Sequence, residues 1–267
     1  MSVLRVAAIQ TSPVFGDVSG NLERALALIP AGCDLAVLPE LFATGYQFRD
    51  TAEAMSLAEE TAPGRTGGPI IAALTRFAAE SGCTLAAGLA ERAGDRVFNS
   101  AVLVRPDGSR GLYRKVHLFA DEKLVFTPGD LGFPVFKACG TTVGLMICFD
   151  WIFPEAARSL ALAGASILLH PSNLLLPWCP EAMITRCQEN RVFAVTSNRI
   201  GSENRTGTRL DFIGMSEVVS PLGRLLVRLG KEEEGAAVTD IDLAEIKQQV
   251  TPRNHIFGDR RPDQYRL

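Results

Sequence analysis

The stretch Thr141-Thr-Val-Gly-Leu-Met-Ile-Cys-Phe-Asp-Trp-Ile-Phe-Pro-Glu155 decides how the chain is read. Thr142 to Ile147 is a run of apolar and β-branched residues, short enough for a buried strand. Pro154 follows and sets the first turn of a helix predicted over Phe153 to Ala163, because proline is tolerated where the backbone N–H has no helical partner. Between strand and helix stands Cys148, at the carboxyl end of the strand. In α/β folds that edge is where ligands bind.

The same grammar repeats on both sides. Upstream, strands are expected over Leu4 to Ile9, Leu35 to Leu38 and Thr84 to Ala87, with helices from about Ser19 to Pro30 and from Gly68 to Ser81. Ser100 to Val104, the turn Pro106-Asp107-Gly108 and Gly111 to Lys115 read as a hairpin, followed by a strand at Val135 to Lys137. Downstream come a strand at Ser166 to Leu169, a helix over Glu181 to Asn190, a strand at Val192 to Thr196 and a second hairpin around Pro221-Leu222-Gly223. The two hairpins resemble each other, which implies weak internal symmetry. About a dozen strands in two α/β halves suit two sheets packed face to face with helices outside, although periodicity alone does not choose this over a doubly wound sheet.

With 267 residues, 47% of them apolar, the chain can bury a large core, and one domain over 1–267 is the default. The charged tail over 250–267 packs poorly by itself and is expected to serve subunit contacts. Twenty-seven basic residues against 30 acidic ones, without a basic cluster interleaved with aromatics, argue against nucleic acid as a partner. No apolar run is long enough to span a membrane, and the N-terminus runs straight into a strand, so a cytoplasmic protein is expected. Six scattered cysteines and three distant histidines form no recognisable metal-binding spacing, so neither a metal nor another cofactor is expected.

Two more polar residues stand where Cys148 stands, at strand ends: Glu40 after Leu35-Ala-Val-Leu-Pro, and Lys115 after Gly111-Leu-Tyr-Arg. A carboxylate, an ammonium and a thiol together supply a base, a positive charge and a soft nucleophile, which is what acylation of a thiol needs. Taken singly, each has an ordinary account. Free cysteine is more often core, Glu40 after Pro39 caps a loop, and Lys115 is a solvated strand end.

The surrounding words carry more. Leu38-Pro-Glu-Leu-Phe with Thr44-Gly-Tyr, Tyr113-Arg-Lys-Val-His-Leu-Phe, and Gly144-Leu-Met-Ile-Cys-Phe-Asp-Trp before Phe153-Pro-Glu resemble the three signature segments of the nitrilase superfamily, or carbon–nitrogen hydrolases, in that family's order. The resemblance runs from Leu4 to Tyr265 and takes in Glu122-Lys-Leu-Val-Phe-Thr-Pro-Gly, His170-Pro-Ser-Asn, the helix end Arg186 to Asn190 and Asp259-Arg-Arg-Pro. It implies an α/β fold of the four-layer αββα sandwich type and a homodimer or larger assembly. It also implies a catalytic set in which Glu40 is the general base, Lys115 the oxyanion lysine, Cys148 the nucleophile and Glu122 a second glutamate bracing the lysine. The ordinary account of Glu122 is an exposed loop acid.

Tyr46, Phe149, Trp151, Asn173 and Trp178 follow strand ends or the nucleophile and are the candidate pocket walls, Trp178 on a loop placed to close over the pocket. For both tryptophans the competing account is core or interface packing. His117 and His170 read as structural, hydrogen-bonded histidines. Ile152 stands where several branches of the family carry arginine, which weakens the case for a substrate held there by its own carboxylate. The expected activity is hydrolysis of a small aliphatic or aromatic amide to acid and ammonia through an acyl thioester. Nitrile hydrolysis, N-carbamoyl amine hydrolysis and a catalytically silent scaffold are the alternatives.

Overall fold

A computed structural model describes residues 3–266. Strands β1 (Val3–Gln10), β2 (Leu35–Val37), β3 (Thr84–Ala93), β4 (Arg96–Val104) and β5 (Arg110–Arg114) form one sheet. Strands β6 (Val135–Ala138), β7 (Thr141–Leu145), β8 (Ile167–Pro171) and β9 (Phe193–Ser197) form most of a second. A short ribbon, β10 (Ser202–Glu203) with β11 (Leu210–Asp211), precedes β12 (Glu217–Val219) and β13 (Leu225–Arg228), which complete the second sheet. The chain then crosses back as β14 (Gly235–Asp242) to pair antiparallel with β1 and ends in a second ribbon over 249–255.

The sheet orders are β14-β1-β2-β3-β4-β5 and β6-β7-β8-β9-β12-β13. In each, the second, third and fourth strands run parallel, and every other neighbouring pair is antiparallel. The resemblance between the two hairpins is therefore a repeat of the whole strand pattern, with β4 and β5 in one half matched by β12 and β13 in the other.

Period-two alternation builds the layers. From β1 and β2, Val6, Ala8, Leu35 and Val37 point toward Val143, Leu145, Ile167, Leu169 and Val195 of the second sheet. Their neighbours Ala7, Ile9, Ala36 and Leu38 point the other way, onto helices α1 (Val18–Ala27) and α3 (Pro69–Ser81). Between these two helices in the chain lies α2 (Thr51–Leu57), and the short α4 (Glu122–Val125) follows β5. Helices α5 (Pro154–Leu162) and α6 (Trp178–Asn190) cover the far face of the second sheet, with Leu160, Met183 and Cys187 buried. The result is the four-layer αββα sandwich. Among the described residues no helix is long and apolar enough to cross a membrane.

Several boundaries differ from expectation. Thr84 to Ala87 is only the first part of β3, which runs on to Ala93 because β4 pairs with it along its whole length. The expected strand to Ile147 stops at Leu145, where the chain turns to present Cys148. Neither β14 nor α2 stands out in the sequence. The Gly235-Ala-Ala start of β14 is weak in strand formers, and only pairing with β1 makes it a strand.

Candidate active site

Glu40, Lys115 and Cys148 follow β2, β5 and β7, and the sandwich brings these three strand ends together. Lys115 Nζ lies 2.7 Å from Glu40 Oε1 and 2.8 Å from Glu122 Oε1, all three side chains being buried. Four carboxylate oxygens and one ammonium would be an unbalanced set in an apolar interior without further donors. Asn99 on β4 supplies one to Glu40 Oε1 at 2.6 Å, Tyr46 Oη supplies one to Glu122 Oε1 at 2.7 Å, and the Phe119 backbone N–H supplies one to Glu122 Oε2 at 3.0 Å. Glu40 Oε2 is left buried and without a partner.

Two glycines permit this approach. A Cβ on Gly88 would stand 2.4 Å from the Cα of Glu40, and one on Gly129 would stand 2.1 Å from the carbonyl oxygen of Arg114. The Gly129 N–H instead donates to the Lys115 carbonyl at 2.9 Å, clamping the strand end. Among the described residues, three of the six non-glycine positions with positive φ also lie here: Cys148 itself at 40°, Leu41 beside Glu40 at 50°, and Ala120 two residues before Glu122 at 43°. Left-handed backbone at bulky residues is costly and persists only where surrounding contacts over-determine it.

For Cys148 those contacts centre on Asp150. Its buried carboxylate accepts from the Ile147 backbone N–H at 2.8 Å, from Tyr113 Oη at 2.6 Å and from the His117 backbone N–H at 3.3 Å, and it lies 2.8 Å from His117 Nδ1. On the other side, His170 Nε2 is 3.0 Å from the Cys148 carbonyl oxygen and Nδ1 is 3.2 Å from Thr196 Oγ1. Both histidines thus hold the turn that carries the thiol, as structural histidines would. Neither Asp150 nor Asn99 stands out in the sequence as part of a site. The adjacency of Asp150 to the nucleophile was the available signal for one, whereas Asn99 lies mid-strand with none.

Burial pushes the Cys148 thiol well above its ordinary range, and the Glu40 carboxylate adds to this against the opposing pull of Lys115. The environment therefore disfavours the thiolate. Burial also raises Glu40 above an ordinary carboxylate, with Lys115 holding the rise in check. For Lys115 burial works against the charge, but Glu122 and Glu40 outweigh it and keep the group an ammonium. Burial, then the charge of Glu122, raises Tyr46 well beyond the usual phenol range, so it stays a donor.

Cys148, Phe149, Trp151 and Asn173 share a narrow cavity of about 30 Å³ with Phe119 and Leu175. Asn173 also donates from Nδ2 to the Glu40 carbonyl at 2.9 Å, leaving its Oδ1 buried and unpartnered. Tyr46 and Glu122 line a second, larger cavity of about 170 Å³. Glu122 is accordingly a buried partner of the lysine and no exposed loop acid. Trp178 belongs to neither cavity. Expected on a loop over the pocket, it is instead the first residue of α6, directly after the cap residue Pro177, and is 60% exposed.

The carbon–nitrogen hydrolase family profile matches residues 5–250. A protein named nitrilase from Pyrococcus abyssi is 42% identical to this chain, covering 98% of it and 99% of its own length. An N-carbamoylputrescine amidase from Solanum tuberosum is 33% identical, covering 99% of this chain and 94% of its own. Among solved structures, a carbon–nitrogen hydrolase from Helicobacter pylori G27 matches with a TM-score of 0.86 at 28% identity, over 99% of this chain and 97% of that one. An amidase from Nesterenkonia sp. matches with a TM-score of 0.79 at 27% identity, over 97% and 94%.

Proposed function

The chain belongs to the carbon–nitrogen hydrolase family and is a hydrolase of small molecules containing such bonds, and from that premise we propose that it is an amidase releasing ammonia from small primary amides through a thioester on Cys148. The observation that carries this reading is that Glu40 Oε2 and Asn173 Oδ1 are buried acceptors without a partner, as is Oδ1 of Asn99, which bonds Glu40. An amide brings two N–H donors to satisfy them, and a nitrile brings none.

Glu40 Oε2 takes the thiol proton as Cys148 Sγ attacks the carbonyl carbon. Lys115 spends two of its protons on Glu40 and Glu122, and the third, with the Phe149 backbone N–H, meets the developing oxyanion. The tetrahedral intermediate collapses as Glu40 returns the proton to nitrogen, and ammonia leaves. Water then gives a proton to Glu40 and attacks the thioester, which releases the acid and restores the thiol. Glu122 and Tyr46 keep the lysine charged and in place throughout.

Nitrile hydrolysis is the second reading, favoured by the 42% identity to the Pyrococcus abyssi protein named nitrilase. Ammonia release from paired amides and nitriles, aliphatic and aromatic, by the wild type and Cys148→Ala separates the two. Cysteine-dependent release from amides alone establishes the amidase, and turnover of nitriles replaces it with the second reading. Silence on both directs the search to N-carbamoyl amines. Two further expectations belong to the same reading. Residues 250–266, none of them buried, contact a second copy of the chain, and the free thiols suit the reducing cytoplasm.

A further inference from the structure

The cleft holding Cys148 is narrow, at about 30 Å³ against about 170 Å³ for its neighbour. A primary amide with any substantial acyl group does not fit there alone. The second cavity, of about 170 Å³, shares two walls with the first, the side chains of Phe119 and Leu175. Its interior is mostly apolar, with Phe48, Val125, Phe126 and Leu210 among its walls; its polar lining includes Glu122, which bonds Lys115, and Tyr46, which bonds Glu122. An apolar cavity of about 150 Å³ accommodates benzene, so this chamber is the size of a phenyl ring.

We infer that this chamber is the acyl-group subsite of the enzyme, taking a phenyl-sized apolar substituent on the carbonyl carbon, and that Phe119 sets access to it. The inference rests on the amidase reading, since in a primary amide the nitrogen leaves as ammonia and the acyl chain is the only part that needs a pocket. Phe119 is tied at its backbone, which accepts from the Glu122 N–H at 2.9 Å and donates to the Glu122 carboxylate. Its ring is only half-buried and meets Phe149 edge-on at a centroid distance of 5.0 Å. The ring can therefore swing and join the two cavities without disturbing the glutamate.

The test compares kcat/KM for phenylacetamide with that for acetamide, by ammonia release, in the wild type, Leu210→Trp and Phe119→Ala. The wild type prefers phenylacetamide. Filling the chamber with Leu210→Trp lowers the ratio of the two by at least about tenfold, the low end of what a misplaced methylene costs in an apolar pocket. Phe119→Ala, which removes the partition, raises the ratio for an amide bulkier than phenylacetamide, and it serves if Leu210→Trp does not fold. Ratios that stay within about twofold of the wild type in every folded variant, with both amides hydrolysed, overturn the subsite and leave the amidase reading intact. No ammonia from either amide in the wild type overturns that reading, and the subsite falls with it.

Discussion

Lys115 Nζ and Glu40 Oε1 lie 2.7 Å apart with both side chains wholly buried, joining the end of β5 to the end of β2 inside the sandwich. Among the described residues the Glu40 carboxylate has no other cation beside it, whereas the ammonium is paired with Glu122 as well. Removing one partner of a buried pair costs roughly 3–5 kcal/mol, because the remaining charge stays in the apolar interior. Lys115→Met should therefore lower the melting temperature as well as abolish turnover. The stranded Glu40, already raised by burial, would take up a proton to neutralise itself, so the deficit against the wild type should be smaller near pH 5 than near pH 8, as thermal melts at both values would show. An equal deficit at the two would mean that the carboxylates find other partners.

Activity should carry an acidic limb above the ordinary carboxylate range. On the proposed mechanism Glu40 must be ionised, and burial has raised its pKa, so kcat/KM should rise with pH through that raised value. The thiol is displaced upward as well, which removes any alkaline limb at its ordinary position. Glu40→Gln should lose at least about a hundredfold in kcat, the range of general acid–base catalysis, together with the acidic limb. A pH profile of kcat/KM for wild type and variant tests this.

His170 should make stability fall with acid. Burial lowers its pKa from 6.5 to about 4, so the folded state resists a proton that the unfolded chain accepts. Its contribution is complete above the unfolded pKa and is lost as pH falls from about 6.5 to about 4, roughly 3 kcal/mol in all. Denaturant titrations of wild type and His170→Gln across that window should diverge at its alkaline end and converge toward its acidic end. Parallel curves would refute the assignment.

Asp150 positions the turn and does not react. Asp150→Asn keeps two acceptor lone pairs but loses the charge that holds His117, Tyr113 and the Ile147 N–H together. A misplacement of about 1 Å at a nucleophile costs on the order of a hundredfold, so kcat should fall by that order with little change in KM. A change confined to KM would place Asp150 in substrate binding instead.

Gly88→Ala should be among the most damaging small substitutions in the chain. Its Cβ, 2.4 Å from the Cα of Glu40, can be relieved only by moving backbone, at a cost of about 1–3 kcal/mol or more, and that movement displaces the base. Gly140→Ala is the control for backbone strain: its Cβ meets nothing but its φ is 71°, whereas Gly88 lies outside the positive-φ region and is limited by space alone. Melting temperature and turnover measured on both would separate crowding at the site from backbone strain alone.

Much of the fold was legible because a short run of apolar and β-branched residues and a helix opening on proline leave local marks, as at Thr142 to Ile147 and Phe153 to Ala163. The ends of those elements were not, since β3 extends to Ala93 only because β4 pairs with it, and β14 exists only beside β1. The sequence by itself determined the carbon–nitrogen hydrolase family and named Glu40, Lys115, Cys148 and Glu122, because those residues sit in contiguous motifs whose local conformation they help to set. Tertiary structure alone decided which side chains support them: Asn99 on Glu40, Tyr46 on Glu122 across 76 positions, Asp150 under the nucleophile, and Trp178 in solvent rather than over the pocket. Periodicity specifies which face of an element is buried, but partners across a sandwich depend on how separate strand ends meet, and that is fixed only when the two sheets pack.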